Sequence, residues 1–114
     1  MFYLLRHLQR STSLSENYIK SFKENFSPVP GFKGSYKISA EKKVIFIKVD
    51  GAEAVYSTEA SEKADVEITV SDETLQEIVA GRMTFQRAFM AGNMKMKGDF
   101  KILRTLDELY TFMK

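Results

Sequence analysis

At 114 residues the chain has the length of one domain, enough to bury roughly 60–70% of its unfolded surface around one core and one internal cavity. Both charge signs are interspersed, the formal net charge is +2, and no long basic run occurs, which argues against nucleic acid as a partner. Cysteine is absent, which excludes disulfides and thiolate metal sites, and no apolar run approaches the roughly 20 residues of a membrane span.

The first ten residues are apolar at Met1, Leu4, Leu5 and Leu8, with Arg6, His7 and Arg10 between them. That spacing is helical. No acidic residue precedes Glu16, and Ser11, Ser13 and Ser15 follow. Three readings fit: a first helix packed on the domain, an amphipathic helix touching a membrane surface, or a basic, serine-rich presequence. A stronger helix spans Ser13 to Phe26. Ser13 and Glu16 form a capping box, each satisfying the other's free backbone donor. Leu14, Tyr18, Phe22 and Phe26 step by four, with Ile19 beside them. Ser27-Pro28-Val29-Pro30-Gly31 breaks the pattern and serves as a linker.

Four strands follow. Gly34 to Ser39 alternates Tyr36 and Ile38 against Ser35 and Lys37, and Ala40-Glu41-Lys42 turns the chain. Lys43 to Val49 is apolar on both faces, as a central strand would be. Asp50-Gly51 reads as a type I′ hairpin turn into a third strand from Ala52 to about Ser57. Asp65 to Val70 alternates again, so one face of the sheet meets water. Ser71 then caps a helix whose apolar face is Leu75, Ile78 and Val79 and which Gly81 ends. Asp72 and Glu73 occupy its first turn, where the helix dipole favours negative charge.

The last third holds most of the methionine. A short helix from Phe85 to Ala91 stops at Gly92, and a strand places Met94 and Met96 on one face with Lys95 and Lys97 on the other. Gly98-Asp99 turns into a final helix with Asp99 as N-cap. Ile102, Leu103, Leu106, Leu109, Tyr110 and Met113 form its apolar stripe. Strands in a run with helices segregated at the ends indicate an α+β fold with a mainly antiparallel sheet. We read residues 1–114 as one domain, with 1–30 as helical segment and linker and 31–114 as sheet and C-terminal helices.

The run Phe85-Gln86-Arg87-Ala88-Phe89-Met90-Ala91-Gly92-Asn93-Met94-Lys95-Met96-Lys97-Gly98-Asp99, followed by an apolar helix, resembles the C-terminal signature of the sterol carrier protein 2 (SCP-2) sterol-binding family. The segment from Ala64 to Leu75 is similar to that family's strand-to-helix passage. The resemblance spans roughly residues 30 to 114. It implies a five-stranded, mainly antiparallel sheet with helices packed on one face and an apolar tunnel between the layers. It also implies non-catalytic binding or transfer of a sterol, fatty acid, fatty acyl-CoA or isoprenoid.

The expected tunnel wall is Phe85, Phe89, Met90, Met94, Met96, Leu103, Leu106, Tyr110 and Met113, with Phe46 and Ile68 from the sheet. Methionine suits such a wall, because it is unbranched and polarisable and adapts to several shapes. Lys95, Lys97, Lys101 and Arg104 gather near one end of the last helix, with Arg82 and Arg87 nearby. Arg82, Arg87, Lys97 and Lys101 are the candidates for contacting an anionic head group or an acidic lipid surface.

Catalytic chemistry finds little support. His7 is the sole histidine and has only Ser11 within helical reach. The adjacent pairs Asp72/Glu73 and Asp107/Glu108 diverge on their helices and read as helix start and solvated face. Neither metal ligands nor a phosphate loop is evident, and no cofactor is expected. The chain does not end in the peroxisomal Ser-Lys-Leu, and a cytoplasmic location is expected. The competing function is a protein–protein interaction or homodimerisation module with a filled core, its contact made by Phe2, Tyr3, Leu4 and Leu5.

Overall fold

The structure, a computed structural model, describes residues 17–58 and 63–112. The three readings of the first ten residues, the Ser13–Glu16 capping box and Met113 lie outside the described residues. Helix α1 covers residues 17–24, and its Tyr18 and Phe22 are buried, as their spacing requires. Strands β1 (Lys33–Ala40), β2 (Lys43–Asp50) and β3 (Glu53–Ser57) follow, then β4 (Val66–Val70), α2 (Asp72–Val79), α3 (Phe85–Met90), β5 (Met94–Gly98) and α4 (Phe100–Leu109).

The five strands form one sheet in the order β3-β2-β1-β4-β5. Three neighbouring pairs are antiparallel, and β1 pairs with β4 in parallel. The parallel pair follows from the loops. Ala40 faces Lys43 and Asp50 faces Glu53, so two-residue loops return the chain antiparallel on one side of β1. The chain then crosses to the other edge of β1 before β4 begins.

The second of those loops differs from expectation. Its central residues are Gly51 and Ala52, and of the two only Gly51 has positive φ, at 61°. A type I′ turn needs positive φ at both central positions, whereas glycine alone at the first is the type II′ pattern. Gly98 has a different reason to be glycine. Its φ is 126°, and a Cβ there would lie 2.3 Å from the Asp65 carbonyl oxygen, against the backbone entering β4. Only a residue without a Cβ lets β5 close on β4 at this point.

Alternation assigns the faces. Tyr36 and Ile38 of β1, Ile45, Ile47 and Val49 of β2, and Val66, Ile68 and Val70 of β4 join one core with Leu75 and Ile78 of α2. Phe85 and Ala88 of α3 and Leu103, Leu106 and Leu109 of α4 complete it. The α helices therefore cover a single face of the sheet. Each of the last three is capped by a side-chain oxygen: Ser71 accepts from the Thr74 N–H, Thr84 from that of Arg87, and Asp99 from that of Lys101.

Two inward assignments and one helix boundary need correcting. Phe46 is buried, at 7% exposure, yet stands outside the helix-facing core. Its cross-strand partners are Lys37 and Ser57, which puts it on the opposite face from Ile45 and Ile47. Met90, the last residue of α3, is 79% exposed. Tyr110 is buried but not helical: α4 ends at Leu109, and Tyr110 extends to form a bridge with Phe26. Backbone pairing with the segment after α1 wins over continued helix here. Ser27 N–H donates to the Leu109 carbonyl at 2.6 Å and Thr111 N–H to that of Asn25 at 3.2 Å.

Candidate functional site: the layer between sheet and helices

The apolar layer between sheet and helices is where the sequence places ligand. Ile68, Phe85, Met94, Leu103, Leu106 and Tyr110 are all buried there. Phe89 and Met96 are half-buried at its margin. Phe46 and Met90 do not join it, for the reasons given above.

A knot of rings that the sequence does not single out belongs to this layer. The Phe22 ring meets Tyr110 edge-on at 4.9 Å and Phe112 at 5.3 Å, and lies 6.4 Å from Phe85. The offset and edge-to-face geometries are those that aromatic quadrupoles favour. The spacing of Leu14, Tyr18, Phe22 and Phe26 signals an apolar face, but not that Phe22 reaches the C-terminal segment.

Among the described residues no polar or charged side chain other than tyrosine is buried. The tyrosines bring the polarity of the layer, and each hydroxyl has a partner. Tyr36 donates to the Ile102 carbonyl at 2.6 Å, and the Tyr56 and Tyr110 hydroxyls lie 2.8 Å apart. Burial pushes the Tyr36 and Tyr110 pKa values up, reinforced by the charges of Asp65 and Asp107 for Tyr36 and by the Tyr56 hydrogen bond for Tyr110. Burial raises Tyr56 as well. These phenols stay neutral at physiological pH, which keeps the layer free of charge.

Five of the clefts that border the described residues bear on the layer. The smallest, about 90 Å³, touches the ring knot at Tyr110 and Phe112 together with Ile78 and Met83. A groove of about 310 Å³ separates α1 from α2 beside Tyr18 and Val79. Two more, of about 500 and 340 Å³, flank Tyr56 between α1 and the β3 edge, and one of about 210 Å³ lies by Lys33 and Asp65. Tyr110 is the one expected wall residue on any of these five. None of the five is lined by Ile68, Phe85, Met94, Leu103 or Leu106, the buried residues of the expected wall.

Asp107 holds the helices together. Its two carboxylate oxygens accept the free Phe85 and Gln86 N–H groups at 2.8 and 3.0 Å, fixing the start of α3 against α4. The sequence reading places it on a solvated face. Nothing local marks the interaction, since the donors lie 21 and 22 residues away.

Asp72 likewise does more than begin α2. One of its oxygens accepts from Lys43 Nζ at 2.9 Å and from the Tyr18 hydroxyl at 2.7 Å, tying α2 to β2 and α1. These bonds, that of Lys43 first, hold the Asp72 carboxyl below the usual aspartate range. Burial and the bond to Asp72 push Tyr18 up to about 12. The sign follows directly. A depressed carboxylate pKa stabilises the fold above the unfolded value, and that contribution is lost as pH falls through the folded one. We therefore expect acid unfolding to set in below about pH 4, and Asp72→Asn to flatten that limb. Unfolding midpoints measured from pH 6 to pH 2 check it.

Of the four head-group candidates, Arg82 is paired with Glu77. Arg87, Lys97 and Lys101 are exposed and form no ion pair among the described residues. No described helix is long and apolar enough to cross a membrane, and no cluster of three described histidine, cysteine or acidic side chains could hold a metal.

Comparison with known proteins bears on this architecture. The peroxisomal multifunctional enzyme type 2 of Mus musculus is 38% identical over 56 residues, covering 49% of this chain and 8% of that enzyme. A fatty acid-binding protein of Yarrowia lipolytica is 44% identical over 36 residues, covering 32% of this chain and 28% of that protein. The matches thus span well under half of either relative. The crystal structure of sterol carrier protein 2 like 2 from Aedes aegypti superimposes with a TM-score of 0.56 at 21% identity, covering 86% of this chain and 98% of that one. That likeness is one of fold. The sequence pattern of the SCP-2 sterol transfer family matches residues 13–111, which takes in α1, all five strands and the three later helices; the chain belongs to that family.

Proposed function

We propose that this domain binds or transfers a hydrophobic lipid, without catalysis, in the layer between its sheet and its helices. The family match over residues 13–111 carries this reading. The absence of buried charge among the described residues supports it, as does the similarity to a fatty acid-binding protein. Ile68, Phe85, Met94, Leu103, Leu106 and Tyr110 are the side chains we assign to the hydrocarbon, with Phe89 and Met96 at the entrance. The ligand class includes sterols, fatty acids, fatty acyl-CoA and isoprenoids, and the protein acts in a soluble, cytoplasmic form.

Admitting a chain requires the ring knot to give way. Burying about ten methylenes contributes about 8 kcal/mol. Losing the packing of one large core aromatic costs about 3–5 kcal/mol when it is truncated to alanine. The balance favours a lipid that takes over the volume held by Phe22 or Phe112.

A filled layer also favours a second reading, an interaction module with no lipid ligand. Solvent extraction of the purified protein with lipid analysis, together with displacement of a fluorescent fatty acid, separates the two. We expect extractable lipid or saturable displacement. A protein that carries nothing and displaces nothing is the interaction module.

A further inference from the structure

The margin of the layer, where α3, β5 and the start of α4 meet, carries a feature that lipid binding alone does not use. Met90 is 79% exposed and Phe100 37% exposed, both large apolar side chains on the surface. The Phe89 ring, half-buried, lies 5.6 Å from that of Phe100 and makes the patch continuous with the core. Scattered apolar residues on a surface need no explanation, but an exposed ring in contact with a side chain packed on the core does.

Charge is distributed to match. Residues 85–104 contain five cations and one anion, Asp99, so this segment carries +4. The rest of the chain carries twelve cations and fourteen anions, a balance of −2. Arg87 on α3, Lys95 and Lys97 on β5, and Lys101 and Arg104 on α4 are all exposed. None forms an ion pair among the described residues. Arg104 follows Phe100 by about one helical turn, so the two residues share a face of α4. Lys97 alone faces an acidic cross-strand neighbour, Glu67.

We infer that this face docks the domain on an anionic membrane surface. Met90 and Phe100 enter the head-group region while Arg87, Lys101 and Arg104 lie against lipid phosphates and carboxylates. Flexible apolar side chains ringed by unpaired cations suit a fluid, negatively charged surface, which offers no fixed shape to complement. The inference deepens the lipid-binding reading, because the half-buried Phe89 and Met96 lie between the docked surface and the core. Docking here brings the membrane to the layer's margin.

The test uses the full chain and vesicles of phosphatidylcholine with and without phosphatidylserine, with sedimentation as readout and no transferred lipid present. Failure to dock is thereby distinguishable from failure to bind ligand. We expect binding only to the phosphatidylserine vesicles, weakened by salt. Each cation removed should reduce affinity about fivefold, so Lys101→Gln with Arg104→Gln should lower it about 25-fold. Met90→Ser should also weaken binding, and at such an exposed site it leaves folding intact. Three results overturn the inference: no binding to anionic vesicles, binding unchanged in these variants, or binding lost only when residues 1–12 are deleted. Self-association abolished by Met90→Ser without vesicle binding would instead make the face a protein contact and overturn it too.

Discussion

Phe22→Ala should lower the unfolding free energy by about 3–5 kcal/mol, the range for truncating a fully enclosed aromatic side chain. Phe22 has no exposed surface, and its ring is gripped by Phe85 of α3 and by Tyr110 and Phe112 of the segment after α4. Marginal stability makes this a large fraction of what a domain holds, about 5–15 kcal/mol in total. Urea denaturation measures the loss. The same variant reports on lipid. Removing the ring leaves an apolar hole where we place the hydrocarbon, and such holes stay dry and accept apolar guests. A fatty acid should therefore raise the melting temperature of Phe22→Ala more than that of the parent, by mass action on the native state. A destabilised variant that fatty acid does not rescue would place the ligand elsewhere. An unchanged stability would mean that α1 does not pack as described.

Asp107→Ala should cost about 2–3 kcal/mol, more than a surface aspartate is ordinarily worth. Its carboxylate satisfies the first two N–H groups of α3, and Thr84 satisfies the third. Hydrogen bonds to an ionised group contribute about 1.5–3 kcal/mol each when they cannot be replaced by water. Half-burial of the site lets water replace part of that. Asp107→Asn, which keeps one acceptor, should lose about half as much. Loss of amide protection confined to Phe85 and Gln86 in hydrogen exchange would show that the cap is the cause. A fall below about 0.5 kcal/mol, as for an ordinary surface change, would contradict the assignment.

The strands and helices were legible because their periodicity is local. Tyr36 and Ile38, Val66 and Ile68, and Leu103 with Leu106 repeat at the spacing that their own backbone imposes. What stayed illegible depends on partners distant in sequence. Strand β2 is apolar on both sides, so alternation alone does not say whether Phe46 or Ile47 faces the helices. Met90 closes a helix of six residues, too short for a stripe to define a face. Tyr110 continues the spacing of α4, and only the segment after α1, arriving to pair with it, turns it out of the helix. The parallel pairing of β1 with β4 is set by where the chain crosses, not by either strand's composition. For the candidate site the result is uneven. The buried apolar set was visible in the pattern, while the ring knot and the Asp107 cap depend on long-range approach.

The strand order has a kinetic consequence. Two tight loops join β1, β2 and β3, so that three-stranded meander can assemble from neighbours in the chain. The central seam is different: Tyr36 must find Val66 and Ile38 must find Ile68, each 30 positions along. Closing that distance costs entropy before any contact repays it, so the seam should form late. Until it does, one edge of β1 is open, with the Tyr36 and Ile38 side chains bare beside unpaired backbone. A half-made chain emerging from the ribosome passes through that state, and its greatest exposure to aggregation lies in the interval before residues 66–70 arrive.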